Sequence, residues 1–537
     1  MELLPILTEG PTNPHGNTID LVFANTSAKA RVDRTLDTGS DHYTVTTTLP
    51  DPVRPAKTAG RFYVPEEALV NFSQILHQHN WTLPEVNAET TTAKDLDKAA
   101  QAIEDLFSTA IKTVGRRRHQ NGHCAPWWDE ECREAQRAFA RSPEDTDERD
   151  TAKKFLRQTT RKKKAAHWDS IISSASPGRD IFQVARWRKS TGRFQPPPLI
   201  HGDRQITDPT DRAAFLREKL LERKSASDDI SDPWSRPVKP TETIPWDADL
   251  TEDETKAATT GASNTAPGSD GISVKLLKAA WPAIGSYIHN LFKGCLKVGH
   301  HPLPFRNAEV TIIPKPNKTD LSSHKAWRPI SLLSCIGKGL ERLLARRIAR
   351  DALKHGVIPK QYFGALPKRS ATDLVSCVVH DIEKALSRGE VASLLTLDVS
   401  GAFDIVTKNR LVLRLREQGW PEQFIHWAES FMSSRTISVR KDDGTTMPRS
   451  NLECGTPQGS PISPIIFMLY ISPLLSFTRR HERFGYADDV AILATGGHAG
   501  VTTVILQTEL DRSVKWGQEN GISFAQDKTE LIHFYRE

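Results

Sequence analysis

Two adjacent carboxylates, Asp488 and Asp489, are the side chains of this 537-residue sequence best suited to binding metal ions. They lie within residues 484–493, FGYADDVAIL, where apolar residues flank the acids and Gly485 precedes them. This pattern predicts two strands joined by a tight turn that carries both acids. Neighbouring carboxylates repel each other, and bound cations relieve that repulsion. The pair therefore predicts a site for Mg²⁺.

A third carboxylate, Asp398, favours this interpretation over a solvated turn, which is the usual meaning of an isolated Asp-Asp pair. It stands near the end of the apolar run SLLTLDV at residues 393–399, which predicts a buried strand. An unpaired buried acid destabilises a fold, so its presence there indicates a site. Two Mg²⁺ ions about 3.5–4 Å apart are the usual arrangement for in-line phosphoryl transfer, and they need a carboxylate from another strand.

Several motifs around these acids occur in a fixed order along the second half of the chain. Residues 486–489, YADD, resemble the polymerase signature of reverse transcriptases, and residues 397–404, LDVSGAFD, resemble the strand that carries their first catalytic acid. Residues 455–461, GTPQGSP, are similar to the loop that lies under template and nucleotide. The run WRPISLL at 327–333 is typical of the non-LTR, LINE-like retrotransposon branch. The resemblance covers roughly residues 260 to 537.

The resemblance implies catalytic roles for four residues. Asp398, Asp488 and Asp489 would hold two Mg²⁺ ions, with Mn²⁺ able to substitute. One ion would lower the pKa of the primer 3′-hydroxyl and the other would take charge from the β- and γ-phosphates. Lys528, within GISFAQDKTE at 521–530, corresponds to the lysine that protonates the departing pyrophosphate. A surface lysine in a turn is the alternative interpretation of Lys528.

The resemblance also implies which residues bind nucleotide and template. Lys315 and Arg328 would clamp the incoming triphosphate, with Lys318 as the alternative lysine. Phe403 matches the bulky aromatic residue that collides with a ribose 2′-hydroxyl, which favours DNA synthesis, although a half-buried Phe is often simply part of a core. A loop that includes Gln458 and Gly459 would steady template or nucleotide.

Composition agrees with a nucleic-acid partner. The chain has 72 Lys and Arg residues, a net charge of +6 and a pI near 8.9, which favour an anionic partner. The six cysteines form no CxxC pair, which suits a reduced compartment. No signal peptide is expected at the start of the chain. The longest apolar run, residues 461–477, is interrupted by prolines, so we expect a buried palm helix and no contact with a membrane.

Residues 1–50 are predicted to be the end of a second fold. TIDLVF at 18–23 and the segment after SDH at 40–42 read as two strands. They resemble the last strands of the endonuclease/exonuclease/phosphatase sandwich, in which Asp20 would orient His42 and Asp41 would lie by the metal. The alternative is a loop or turn. The family's earlier motifs are missing from this sequence, so no autonomous endonuclease activity is expected.

Residues 51–192 are predicted to be a connector followed by a basic helical region. The run RKKK at 161–164, with Trp168 and the later RWRK at 186–189, suits phosphate contacts and base stacking on nucleic acid. A solvated helix face is the alternative, and the polymerase downstream favours binding of template or target. His119, His123, Cys124 and Cys132 match none of the usual zinc spacings.

The rest of the chain is predicted to divide at about residue 260. Residues 193–260 are a proline-rich lead-in, partly disordered near 224–245. Residues 261–537 form fingers and palm, with helices expected at 335–354 and 371–388, each closed by a glycine. The sequence stops where the family's thumb would follow, so the thumb is expected to be missing and activity is in doubt. The fold class is thus α/β, or α+β: a right-hand polymerase after a basic helical region and a two-strand remnant.

The predicted function is RNA-directed DNA synthesis in a non-LTR retrotransposon. The implied partners are an RNA template, a DNA primer or target DNA, and dNTPs, and the implied localisation is the nucleus and cytoplasm. One alternative is a catalytically inactive fragment that retains nucleic-acid binding. Another is an RNA-dependent RNA polymerase, against which Phe403 and YADD argue, since such enzymes usually carry Gly-Asp-Asp. The sequence does not indicate an oligomeric state.

Overall fold

The structure, a computed structural model, describes residues 4–6, 8–24, 29–34, 41–48, 62–117, 127–143, 146–174, 196–240, 242–442, 444–477 and 482–536. The chain divides into two compact units. The first unit comprises Met1–Gly60 and His119–Phe194, and the second comprises Arg61–Arg118 and Gln195–Glu537.

Strands of the described residues are numbered in chain order. They are β1 (Leu4–Ile6), β2 (Thr8–Glu9), β3 (Val22–Ala24), β4 (Lys29–Asp33), β5 (Thr44–Thr48), β6 (Phe62–Tyr63), β7 (Arg116–Arg117), β8 (Leu199–His201), β9 (Arg204–Ile206), β10 (Asn307–Pro314), β11 (Trp327–Leu332), β12 (Tyr362–Phe363), β13 (Val391–Asp398), β14 (Arg435–Val439), β15 (Ser450–Leu452), β16 (Glu482–Tyr486), β17 (Asp489–Gly496) and β18 (Glu530–Phe534).

Helices are numbered in the same way. They are α1 (Leu69–His79), α2 (Ala93–Val114), α3 (Glu130–Arg141), α4 (Asp147–Ser174), α5 (Pro209–Leu220), α6 (Glu252–Thr260), α7 (Val274–Val298), α8 (Cys335–Lys354), α9 (Ala371–Ser387), α10 (Lys408–Glu417), α11 (Glu422–Met432), α12 (Ser463–Leu475) and α13 (Ala499–Glu519). None of the described helices is long and apolar enough to cross a membrane.

The first unit contains short strands and a helical hairpin. Strands β2, β4 and β5 form one sheet, and β1 pairs with β3. Helices α3 and α4 pack through Phe139 and Leu156, both buried. Lys163 of α4 donates to Asp129 at 2.7 Å and to Glu131 at 2.5 Å, so one lysine of the basic run serves the hairpin itself.

The His and Cys residues whose spacing matches no usual zinc site, and part of the basic region, fall on positions of which little is described. His119, His123, Cys124 and the RWRK segment at 186–189 lie outside the described residues. Cys132 is a buried free thiol within α3, and burial raises its pKa. A buried thiol of this kind behaves as a small apolar side chain.

The second unit includes residues 61–118, which the sequence pattern predicts to be part of the connector and basic region. The N-cap Thr92 and Asp95 form a capping box that starts α2. Phe72 of α1 and Phe107 of α2 lie fully buried with ring centroids 5.7 Å apart. Both helices contact α7, where Leu96 fills the space beside Gly294. The compact units therefore divide the chain differently from the four predicted segments.

A five-stranded sheet has the order β12-β16-β17-β13-β18, and we call it the palm sheet because it contains the strands predicted for the palm. Alternation along its strands sends Phe484 and Leu493 toward Ile382 of α9 and sends Ile492 into the main core with Leu506 of α13. Helices therefore pack on both faces. Helix α12 is buried along nearly its whole length, which agrees with the palm helix predicted at 461–477.

A four-stranded sheet has the order β11-β10-β14-β15, and we call it the fingers sheet because it contains the segments predicted for the fingers. Strands β10 and β11 are antiparallel, with Ile313 opposite Arg328, whereas β10 and β14 are parallel. Helix α5 packs on this sheet, because Leu216 and Leu220 share a buried cluster with Trp327.

The segment at 224–245, for which the sequence predicts partial disorder, is instead held against the palm. Asp229 accepts hydrogen bonds from the backbone N–H of Asn409 at 2.6 Å and of Arg410 at 3.1 Å, which are unpaired donors in the first turn of α10. Trp234 stacks on His426 with ring centroids 4.8 Å apart. These long-range contacts order a segment whose composition is typical of disorder.

Candidate functional site

The three predicted carboxylates meet at one end of the palm sheet. Strands β13 and β17 are antiparallel, and their register places Asp398 directly opposite Asp489. Strands β16 and β17 form a hairpin in which Tyr486 pairs with Asp489, so Ala487 and Asp488 are the two turn residues. The tight hairpin predicted from FGYADDVAIL is confirmed.

A neighbouring strand fixes the conformation of this turn. Ala487 has a positive φ of 53°, which is uncommon for a residue with a side chain. The hydroxyl of Tyr362 donates to the Ala487 carbonyl at 2.6 Å, and the Ala487 N–H donates to the Phe363 carbonyl at 3.2 Å. Sequence reasoning missed Tyr362, because only the parallel pairing of β12 with β16 brings it to the turn.

The carboxylates disfavour each other's charge. Burial raises the pKa of Asp488, and the charge of Asp398 raises it further. Burial also raises the pKa of Asp489, followed by the charges of Asp488 and Asp398. Asp488 and Asp489 therefore lie where their ionised forms are costly, which is the electrostatic condition that a bound cation relieves.

Lys528 supplies one positive charge to this group. Its Nζ donates to Asp398 Oδ2 at 2.8 Å, and this hydrogen bond raises the pKa of Lys528. The backbone N–H of Ala525 donates to the Asp398 carbonyl at 2.9 Å, which ties the lysine's segment to β13. The structure thus places the predicted general acid beside the predicted metal ligands.

The donor set fits Mg²⁺ in chemistry. Mg²⁺ prefers carboxylate oxygens and retains several waters, so it needs only one or two carboxylates from the protein. In the part of the chain that is described, no three His, Cys, Asp or Glu side chains converge closely enough to form a ready metal cage. The ammonium of Lys528 instead donates a hydrogen bond to one oxygen of Asp398, and a metal cation would bind at the same carboxylate.

The loop at 455–461 joins the palm to the fingers. The Thr456 N–H donates to the Phe403 carbonyl at 2.7 Å, on the palm side. The Ser331 N–H of β11 donates to the Gln458 carbonyl at 2.7 Å, on the fingers side. Gly459 follows with a φ of 136°, and its Cα lies against the Ser331 carbonyl. Gln458 and Gly459 therefore stand at the junction of the two sheets.

We expect Gly459→Ala to destabilise the protein by roughly 1–3 kcal/mol, because its Cβ would approach the Ser331 oxygen to 2.5 Å at a φ that L-residues avoid. Urea unfolding measures this loss. The matched control is Gly497→Ala, where a Cβ meets nothing within 4 Å. Equal stability of the two variants would show that the loop accommodates a side chain.

Asp404 forms a buried polar contact with the same loop. Gln458 Nε2 donates to Asp404 Oδ1 at 3.1 Å, and Asp404 is only 7% exposed. Burial raises the pKa of Asp404 to about 6, although Arg223, Gln458 and Lys315 act in the opposite direction. The acid therefore orients the Gln458 side chain.

This raised pKa predicts a pH-dependent stability. An unfolded Asp ionises near its ordinary pKa of 3.8, whereas folded Asp404 keeps its proton up to about pH 6. Folding therefore loses stability as pH rises between about 4 and 6, by up to about 3 kcal/mol from this group. Asp404→Asn has no such group, so its stability relative to wild type should rise across that window. Parallel urea-unfolding curves for the two proteins across it would contradict the assignment.

Phe403 lies between the metal ligands and the loop. It follows Asp398 by five residues, is half-buried, and packs against Phe467 with ring centroids 5.8 Å apart. The packing on Phe467 is a core contact, and the role of the ring beside the nucleotide sugar stays a prediction.

The fingers contribute two cations on one face of a β-ladder. Ile313 pairs with Arg328, and Lys315 is two residues beyond Ile313, so the Lys315 and Arg328 side chains are diagonal neighbours. Burial lowers the pKa of Lys315, and the positive charges of Arg328 and Lys528 lower it further. Lys318 is exposed in the following turn. This geometry favours Lys315 over Lys318 for the predicted phosphate contact.

A cavity of about 400 Å³ opens beside the acids. Its lining includes Asp398, Asp489, Lys528, Tyr486 and Thr396, together with apolar side chains of α9. Of the three acids, Asp398 and Asp489 therefore line this cavity.

The predicted endonuclease residues partly come together in the first unit. His42 Nδ1 lies 3.0 Å from each carboxylate oxygen of Asp20. This hydrogen bond raises the pKa of His42 and lowers that of Asp20. The charge of Asp41 also favours protonated His42. The contact matches an aspartate that orients a histidine, while the relation of this region to an endonuclease stays a prediction.

The second half of the chain is similar to known proteins. The family described as "Reverse transcriptase (RNA-dependent DNA polymerase)" matches residues 313–536. The probable RNA-directed DNA polymerase from transposon X-element of Drosophila melanogaster is 30% identical over 235 residues, which cover 43% of this chain and 26% of that protein. The RNA-directed DNA polymerase from mobile element jockey of Drosophila funebris is 28% identical, over 50% of this chain and 30% of that protein.

The chain is also similar to one further retrotransposon protein and to one solved structure. The retrovirus-related Pol polyprotein from type-1 retrotransposable element R2 of Popillia japonica is 28% identical, over 53% of this chain and 39% of that protein. Among solved structures, apo telomerase from Candida tropicalis aligns with a TM-score of 0.32 and 12% identity, over 43% of this chain and 45% of that one. The chain spans well under half the length of the three retrotransposon relatives. Residues 313–536 are thus similar to the reverse transcriptase family and to the polymerases of non-LTR retrotransposons.

Proposed function

We propose that this chain is an RNA-directed DNA polymerase of a non-LTR retrotransposon, which extends a DNA primer on an RNA template with dNTPs. The observation that carries the proposal is the register of the palm. Asp398 lies opposite Asp489 on neighbouring strands, and Asp488 occupies the turn between β16 and β17. Carboxylates on two strands are what a nucleotidyl transfer site requires.

Asp398, Asp488 and Asp489 would hold two Mg²⁺ ions, with Mn²⁺ able to substitute. When bound, such ions supply positive charge to the attacking and leaving oxygens of an in-line displacement. The protein's own residues do the rest. Lys315 and Arg328 bind the triphosphate, Gln458 steadies template or nucleotide, and Lys528 donates a proton to the departing pyrophosphate.

The basic helix α4 is proposed to add contacts to the nucleic-acid backbone. Arg161, Lys162 and Lys164 are exposed on this helix, whereas Lys163 is engaged by two carboxylates of the hairpin. Lys164 also lies 6.0 Å from the ring of Trp127, so a cation and an aromatic face are presented together. Such pairs suit phosphate contact and base stacking.

Primer extension tests the proposed function. The full chain is incubated with Mg²⁺ and a DNA primer annealed to a heteropolymeric RNA template, with either dNTPs or rNTPs. We expect extension with dNTPs that disappears when the metal is chelated. Extension with rNTPs alone would indicate an RNA polymerase. No extension, with salt-sensitive RNA binding retained, would indicate a nucleic-acid binder without activity.

Phe403→Ala is expected to weaken the selection of dNTPs over rNTPs by roughly 10–100-fold, because a methyl group cannot block a ribose 2′-hydroxyl. The ratio of kcat/KM for a matched dNTP and rNTP measures this selection. Phe403→Tyr keeps the ring and should keep the ratio. If Phe403→Ala lowered both values equally, the ring would act only through its packing on Phe467.

A further inference from the structure

Arg223 reaches the candidate site from a segment that precedes the matched family domain. A Cβ built on Gly401 would lie 2.5 Å from Arg223 Nη1 and 3.2 Å from its Cζ, so the guanidinium sits directly over the Gly401 backbone. Gly401 is three residues beyond Asp398 and two before Phe403. Arg223 therefore lies beside the segment that joins the metal ligands to the aromatic ring.

Contacts on both sides of Arg223 hold it there. Upstream, the Nε of Arg212 in α5 donates to Asp442 Oδ2 at 2.8 Å, and Leu216 and Leu220 anchor the same helix on the fingers. Downstream, the Ala226 N–H donates to Glu453 Oε2 at 2.9 Å. Because the chain is fixed within a few residues on either side, the position of Arg223 follows from the fold.

The guanidinium of Arg223 keeps unused donors. Its Nε donates to the Lys219 carbonyl at 3.1 Å, and the same Nε lies 3.9 Å from Asp404 Oδ2, too far for a hydrogen bond. Within the described ranges, no other hydrogen bond of Arg223 is found. A guanidinium has five donors in a planar fork that matches phosphate oxygens.

Arg223 also adds to a group of like charges. The pKa of Lys315 is lowered first by burial and then by Arg328, Lys528, Arg223 and Lys318. Converging cations repel each other, as the three carboxylates do, and a bound anion relieves the cost. The guanidinium and the fingers lysine thus lie close enough for each charge to act on the other, and both also act on Asp404.

We propose that Arg223 is a nucleotide-binding residue, which holds the triphosphate of the incoming dNTP together with Lys315 and Arg328. The inference rests on the proposed polymerase function. Phosphates of the template backbone have the same chemistry. The dNTP is favoured because the guanidinium covers the segment between Asp398 and Phe403, which would contact the nucleotide's metal ions and sugar.

Steady-state primer extension tests this role. Arg223→Ala should raise KM for dNTP about tenfold while kcat and the KM for primer–template stay near wild-type values. Arg223→Lys keeps the charge and should recover most of the loss. The matched control is Lys224→Ala, which removes the neighbouring charge and should change none of the three constants. A rise in the KM for primer–template alone would overturn the proposal in favour of a template contact.

Nucleotide binding without turnover separates this proposal from the proposed function. An α,β-methylene dNTP with Mg²⁺ should raise the melting temperature of wild type and of Lys224→Ala, and raise that of Arg223→Ala much less. The corresponding deoxynucleoside, which lacks phosphates, should show no difference between the proteins. If a chain that extends no primer showed these differences in melting temperature, they would support nucleotide binding by Arg223 and reject the proposed polymerase function. Equal stabilisation of wild type and Arg223→Ala would overturn the role of Arg223, whether or not the chain is active.

Discussion

Replacing Asp488 and Asp489 by asparagine should lower primer extension by roughly a thousandfold, equivalent to about 4 kcal/mol of transition-state stabilisation. The structure predicts a second effect that activity alone would not reveal. Burial raises the pKa of both acids and the charge of Asp398 raises it further, so neutral amides at these positions relieve a cost in the metal-free protein. The double variant should therefore melt at the same temperature as wild type or higher.

Added Mg²⁺ should then reverse the order of stability. The metal binds the folded wild type and raises its melting temperature by mass action, whereas the double variant lacks the ligands and should not respond. Asp511→Asn removes an exposed acid of α13 and serves as the control, with a wild-type response to Mg²⁺. A melting temperature of the double variant that rises with Mg²⁺ as in wild type would place the metal elsewhere.

Lys528→Ala should lower kcat by roughly a hundredfold if Lys528 donates a proton to pyrophosphate, since general acids contribute on that scale. The 2.8 Å hydrogen bond to Asp398 allows another explanation, in which the ammonium only offsets the charge of the carboxylate. Lys528→Arg separates the two, because a guanidinium keeps the charge but is a far weaker acid. A kcat of Lys528→Arg as low as that of Lys528→Ala would support proton donation by Lys528.

The pH dependence of kcat gives an independent measurement. The bond to Asp398 raises the pKa of Lys528, so the ammonium stays protonated through neutral pH and any alkaline fall due to its deprotonation should lie above about 10.5. Lys515→Ala, on the exposed surface of α13, is the matched control for loss of a lysine. Restoration of kcat by Lys528→Arg would assign the residue to charge balance.

The parts of the site that the sequence predicted are those encoded over short distances. The two-residue turn, its flanking strands and the helix at Cys335–Lys354 depend on local apolar patterns and on glycines at their ends. Asp398 was recognised from one buried strand, and its pairing with Asp489 required only that two predicted strands be neighbours. These features can be predicted without knowledge of the rest of the chain.

The parts that the sequence did not reveal depend on contacts between distant segments. Tyr362 supports a turn that lies 125 residues later, and Asp229 caps a helix about 180 residues later. Neither residue belongs to a pattern that periodicity or turn chemistry detects. Arg223 does not belong to such a pattern either. The only sign of its position in the sequence is that its neighbour Gly401 has no side chain.

The packing of α1 and α2 on α7 bears on how the protein can be divided for laboratory work. Asp97 of α2 accepts hydrogen bonds from His300 at 2.8 Å and from the Leu303 N–H at 2.7 Å, and Leu96 fits against Gly294. A protein cut at the start of the family domain, residue 313, would lose both sides of this interface, and one cut at 261 would bare the apolar flank of α7. Expression boundaries drawn from sequence similarity alone therefore pass through a single hydrophobic core, and we expect a stable second unit to need residues 62–117 in the same chain.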